Sequence, residues 1–196
     1  MFISAPAYAE PTIRLGDDAA RAQAQARLEA FNANLLAHHS ATAVLQQWCD
    51  GEGPAPAPRI VARQVKGLAK PADEQVRALL RVDAATPVKY RRVQLVCGDR
   101  VLSEADNWYL PLRLTPEMNR LLDETETPFG VAAGPLGFGR SNLAATLLFH
   151  PAGGQGPMIV PAEVLRQSAL LSTPDGAPLA LVVETYTAEV LRRSAP

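Results

Sequence analysis

No stretch of this 196-residue chain approaches the roughly 18 consecutive apolar residues of a membrane-spanning helix, so no membrane span is expected. An excess of one charge is missing too. Nineteen lysines and arginines face 20 aspartates and glutamates, giving a net charge of −1, and no global basic field would draw in nucleic acid. Cysteines are few (Cys49 and Cys97), and His38, His39 and His150 are not spaced as ligands, so no metal site is expected. No serine has the Gly-x-Ser-x-Gly setting of a nucleophile elbow. Gly134-Pro135-Leu136-Gly137-Phe138-Gly139-Arg140 lacks the Lys-Ser/Thr ending of a phosphate loop and reads as turns or a mobile cover. Internal repeats are absent. Scattered basic residues leave Trp48 and Trp108 as core rather than as stacking platforms.

What is present suits one globular domain with a single substantial core. Residues 1–9 look like the end of a secretory signal peptide, with Ala7-Tyr8-Ala9 as a small-x-small cleavage pattern, and 10–196 form the domain. On that reading the protein is periplasmic or secreted; otherwise it is cytoplasmic. The two cysteines leave this open: a reducing compartment keeps them as buried thiols, and an oxidising one pairs them if their Cα atoms are close.

Ala24, Leu28, Phe31 and Leu35 recur at helical spacing after Asp17-Asp18, and His38-His39-Ser40 ends that helix. A short helix follows from Thr42 to Trp48, with Asp50-Gly51 as its stop. Arg59–Val65 reads as a strand, Pro71–Leu80 as a helix, Lys89–Leu110 as a hairpin, and Thr115-Pro116-Glu117 as a helix start. The 131–156 segment is left open, its glycines (Gly134, Gly137, Gly139, Gly153 and Gly154) suggesting loops around Leu143 to Phe149. Val164–Leu171 and Leu179–Tyr186 are strands joined by the turn Thr173-Pro174-Asp175-Gly176. Helices first and hairpins later predict an α+β domain, an antiparallel sheet with helices packed on it.

Strand side chains alternate faces, so one of Arg91 and Arg92 must point inward. An inward arginine in an apolar sheet needs an anion, from the protein or from a ligand. Glu184, in the apolar run Leu181-Val182-Val183-Glu184-Thr185-Tyr186, is an outward strand-end residue, the partner of a buried arginine, or a ligand contact.

From about Leu35 to Tyr186 the sequence resembles chorismate pyruvate-lyase, the family that converts chorismate to 4-hydroxybenzoate and pyruvate. The resemblance rests on Ser40-Ala41-Thr42, on Arg92 through Cys97 with Asp99, on Thr127-Pro128-Phe129-Gly130, and on Gly176-Ala177-Pro178-Leu179 up to Glu184. It implies a chorismate-lyase-like fold, no cofactor, and a small aromatic carboxylate as the ligand of a monomer. Arg92 would bind the ring carboxylate, the Phe129 amide would assist it, and Glu184 would meet the ring hydroxyl; Arg92 and Glu184 carry any catalysis. Arg63 resembles a further arginine of the family, and Arg140 is a loop arginine able to close on an anion.

Several positions depart from the family pattern. Ala41 and Phe129 replace a methionine and a leucine of the pocket, Asn107 stands where the family shows arginine, and one residue is inserted between Gly176 and Glu184. The leading expectation is a lyase of this type, and its rival is a non-catalytic binding protein for an aromatic acid on the same scaffold. A third reading is an interaction domain in which arginine and glutamate merely pair. The fold also serves as the effector domain of some transcription regulators, a role the notable lack of a winged-helix pattern ahead of it speaks against.

Overall fold

Asp17 begins the first helix by accepting the N–H of Ala20 on its side chain, and the helix, α1 (Asp18–Ala37), buries Ala24, Leu28, Phe31 and Leu35. This computed structural model describes residues 13–52, 58–153 and 155–192; the expected signal-peptide remnant, 1–9, lies outside them. Ser40 opens α2 (Ala41–Glu52), its hydroxyl accepting the N–H of Ala43. That helix runs through Asp50-Gly51, the pair expected to stop it. Packing of Val44, Leu45 and Cys49, all buried, outweighs the cost of one helical glycine.

The remaining elements are β1 (Arg14–Leu15), β2 (Val61–Gln64), α3 (Glu74–Leu80), β3 (Lys89–Cys97), β4 (Arg100–Tyr109), α4 (Pro116–Glu124), α5 (Phe129–Ala132), β5 (Gly139–Leu147), β6 (Met158–Ile159), β7 (Glu163–Ser172) and β8 (Pro178–Thr187). Six strands form one antiparallel sheet in the order β2-β3-β4-β8-β7-β5, and β1 pairs with β6 beside it. The domain is therefore α+β, as the order of helices and hairpins implies.

Helices cover both faces of the sheet unequally. On one face, here called inner, α1 and α2 pack on Val93, Leu95, Ala105, Leu165 and Tyr186, while α4 and α5 pack on Tyr109, Ala169, Leu171 and Val182. On the outer face Val76 and Leu80 of α3 meet Trp108, Leu110 and Leu181. Cys49 of α2 and Cys97 at the end of β3 form a disulfide, with Cα atoms 6.0 Å apart.

The centre of the open 131–156 segment is a strand: β5 pairs with β7 from Gly139 to Leu147, so Arg140, expected in a loop, stands on a strand. The sequence of β5 shows no apolar alternation because the strand lies at the sheet edge, and seven of its nine residues are exposed.

Candidate functional site

Register carries Glu184 into the middle of the inner face. It stands opposite Ala105 on one side and Gln167 on the other, and Ala105 stands opposite Val93. Strand alternation thus puts a carboxylate among apolar neighbours, and something must neutralise it. Arg140 does so from β5, reaching past β7 to donate to Glu184 Oε2 at 2.6 Å. The two side chains are only 3% and 7% exposed.

The pair is held by further polar groups. Arg140 Nη2 also approaches Gln167 Oε1 at 3.4 Å, its Nε donates to Asn142 at 3.1 Å, and Gln167 donates to Asn32 of α1 at 2.8 Å. Burial works to lower the Arg140 pKa, but the Glu184 charge, Tyr186 and the hydrogen bond to Glu184 together outweigh it and hold the guanidinium above its ordinary value. The fully buried Tyr186 hydroxyl lies near Glu184 outside hydrogen-bond geometry; burial, then the Glu184 charge, pushes its pKa well above 10. The sign for stability follows. A tyrosine whose folded-state pKa is raised contributes fully below the unfolded value near 10, and that contribution is lost as pH rises further. The urea midpoint should therefore fall above pH 10, with a smaller fall in Tyr186→Phe. An identical alkaline fall in that variant would rule out Tyr186 as a source.

The ion pair forms part of the wall of a cleft of about 440 Å³, its open mouth included. Val93, Leu95, Phe129, Phe138, Leu171 and Val182 make it apolar; Ser40, Thr42, Asn107, Arg140 and Glu184 supply polar groups. The start of α2 forms one rim, where Gly130 lies so close that a Cβ on it would sit 3.1 Å from the Ser40 hydroxyl. Among the described residues no cluster of three or more His, Cys, Asp or Glu could hold a metal ion.

Of the six candidate site residues, Ala41, Phe129, Arg140 and Glu184 line this cleft. Arg63 and Arg92 do not. Arg63 is exposed and donates to the Gly98 carbonyl at 3.1 Å. Arg92 lies on the outer face, where it pairs with Glu104 and Asp106. The hydrogen bond that it donates to Glu104 holds its pKa above the ordinary value.

The expected faces of the two arginines are thus reversed. Arg91 is the inward one, 3% exposed, beside Asn107 on the face of Val93 and Leu95. It donates to the carbonyls of Thr127 at 3.1 Å and Thr125 at 3.2 Å, and its Nε has no hydrogen-bond partner. Burial lowers its pKa, opposed by Tyr109 and Asp123. The sequence carried a usable signal: Gln94 is polar between apolar Val93 and Leu95, so the odd-numbered residues face the core. Removing Arg91 leaves two carbonyls short of a donor, so Arg91→Ala should cost about 1–3 kcal/mol of stability. Arg92→Ala removes half-exposed pairs and should cost about 1 kcal/mol or less. Equal losses in urea unfolding would overturn this assignment of faces.

No family model matches the sequence. A protein of Sinorhizobium fredii described as "Uncharacterized protein y4mC" is 45% identical over 194 residues, covering 92% of this chain and 82% of its own. The chain belongs to the y4mC family. Among solved structures, the effector domain of PhnF from Mycobacterium smegmatis superposes with a TM-score of 0.52 at 15% identity, over 77% of this chain and 90% of that one. A crystal structure of PhnF itself gives 0.52 at 16% identity, over 82% of this chain and 69% of that one. What is shared with PhnF is the chorismate-lyase-like architecture.

Proposed function

We propose that the domain binds a small aromatic carboxylate in the inner-face cleft and does not turn it over. The observation that supports this reading most directly is the Arg140–Glu184 pair, a cation and an anion set in an otherwise apolar wall. An aromatic ring suits the apolar lining, and a carboxylate suits a buried guanidinium whose described bonds use Nε and Nη2. The ligand would take Nη1 together with the hydroxyls of Ser40 and Thr42 on the cleft rim. The likeness to an effector domain of PhnF supports binding rather than catalysis.

Elimination of pyruvate from chorismate, the lyase reading, has less support. Glu184 is held by Arg140 instead of standing free for a substrate hydroxyl, and Arg92, assigned to the ring carboxylate, faces away from the cleft. Asn107 lines the cleft at the position where the resemblance implies arginine. Arg63 lies outside the cleft as well, bonded to the Gly98 carbonyl.

Calorimetric titration with 4-hydroxybenzoate, alongside incubation with chorismate and chromatography for pyruvate, tests the reading. Binding without pyruvate release is the expected result. Steady release of pyruvate and 4-hydroxybenzoate would establish the lyase instead, and failure of any aromatic acid to bind would leave the pair a purely structural one.

A further inference from the structure

The Arg140–Glu184 pair is neutral as a whole, and each partner still has one atom to offer. Arg140 bonds through Nε and Nη2 and Glu184 through Oε2, so Nη1 and Oε1 have no hydrogen bond among the described residues. Neither of these atoms is sealed from solvent, although the side chains are nearly buried, and both residues line the cleft. A second acceptor lies beside them. Asn107 stands diagonally from Glu184 on the inner face, since Ala105 is opposite Glu184 and Asn107 is opposite Val182. Its Nδ2 donates to the carbonyls of Arg91 and Ala105, which leaves Oδ1 as its free atom on the cleft wall. The wall therefore presents one cationic donor next to two acceptors, one of them anionic.

We infer that the ligand is an aromatic α-amino acid, its carboxylate on Arg140 Nη1 and its ammonium on Glu184 Oε1 and Asn107 Oδ1. This rests on the aromatic-carboxylate reading above and narrows it to zwitterions. A simple aromatic acid puts a second carboxylate on the guanidinium that Glu184 already holds, leaving one negative charge in excess among Val93, Leu171 and Val182. Like charges forced together in an apolar wall are costly, so such an acid binds weakly. An ammonium on the same molecule cancels the excess, and ligand and ion pair then meet as two opposed dipoles. The α-amino acid suits this arrangement because its two charged groups hang on one carbon, just as Nη1 and Oε1 flank a single Arg140–Glu184 contact. Phe129 and Phe138 supply aromatic surface for the side chain. The other ionisable residue of the lining, His39, is exposed, where water and salt screen it.

Calorimetric titration of the full chain with L-phenylalanine and with 3-phenylpropanoate, the same skeleton without its amine, tests it. Phenylalanine should bind about tenfold or more tightly, the scale of a charged partner met in a buried site. Equal or tighter binding of 3-phenylpropanoate overturns the inference and leaves the aromatic-acid reading standing. Failure of phenylalanine, 3-phenylpropanoate and 4-hydroxybenzoate alike removes both. A variant adds a second readout: Glu184→Gln keeps a hydrogen-bond acceptor but loses the charge, so the preference for phenylalanine should shrink about tenfold while 3-phenylpropanoate binds no worse. A folded Glu184→Gln protein with the wild-type preference overturns the placement of the ammonium on Glu184. The comparison of the two ligands on the wild type decides the matter even if that variant fails to fold.

Discussion

Reducing the bond between Cys49 and Cys97 is expected to lower the unfolding free energy by about 4 kcal/mol, the chain-entropy value for a loop of this size. The two residues are 48 apart in sequence, and the bridge fastens the C-terminal half of α2 to the end of β3. Both are buried, at 1% and 4% exposure, so two thiols would remain in the core without opening a large cavity. The loss should therefore come from the less restricted unfolded chain. Urea unfolding with and without a reductant measures it, and the Cys49→Ala/Cys97→Ala double variant should match the reduced wild type. Equal midpoints under oxidising and reducing conditions would show that the bridge does not form in solution. A protein that depends on such a bond suits an oxidising compartment.

Breaking the Arg140–Glu184 pair on one side is expected to cost about 3–5 kcal/mol, because the remaining charge stays buried without its counter-ion. Arg140→Met strands the carboxylate of Glu184 next to Tyr186 and Gln167; Glu184→Leu strands the guanidinium. Replacing both at once, Arg140→Met with Glu184→Leu, should restore part of the stability, since no lone charge is then left in the wall while Gln167 and Asn142 each lose a donor. The three chains together form a double-mutant cycle read by urea unfolding. Losses that simply add would show that the two groups do not interact. Binding separates the roles further: the double variant should fold yet lose affinity for 4-hydroxybenzoate by about 2 kcal/mol or more, as for truncating a buried charge.

Much of the architecture was legible in the chain. The spacing of Leu28, Phe31 and Leu35 marks α1, and Thr173-Pro174-Asp175-Gly176 marks the turn between β7 and β8, because local chemistry decides both. Edge strand β5 was not legible, since a strand exposed on both faces needs no apolar alternation. The cleft was half legible. Glu184 stands out as a carboxylate in an apolar strand, and Phe129 stands out through its turn. Arg140 was placed in a loop, and its contact with Glu184 depends on a strand two positions away in the sheet. The choice between Arg91 and Arg92 went wrong because the resemblance over Arg92–Cys97 fixes a sequence position, while burial follows the parity set by Val93 and Leu95.

The chain of contacts from Arg140 through Gln167 to Glu184 crosses three strands, and this bears on how faithfully the sheet assembles. A slip of β5 by one residue against β7 would turn Arg140 to the opposite face and leave Glu184 without a counter-ion. The apolar residues of β5 are too few to penalise such a slip by themselves. The buried charges therefore act as a register pin, rejecting misaligned pairings of the one strand whose sequence would otherwise tolerate them.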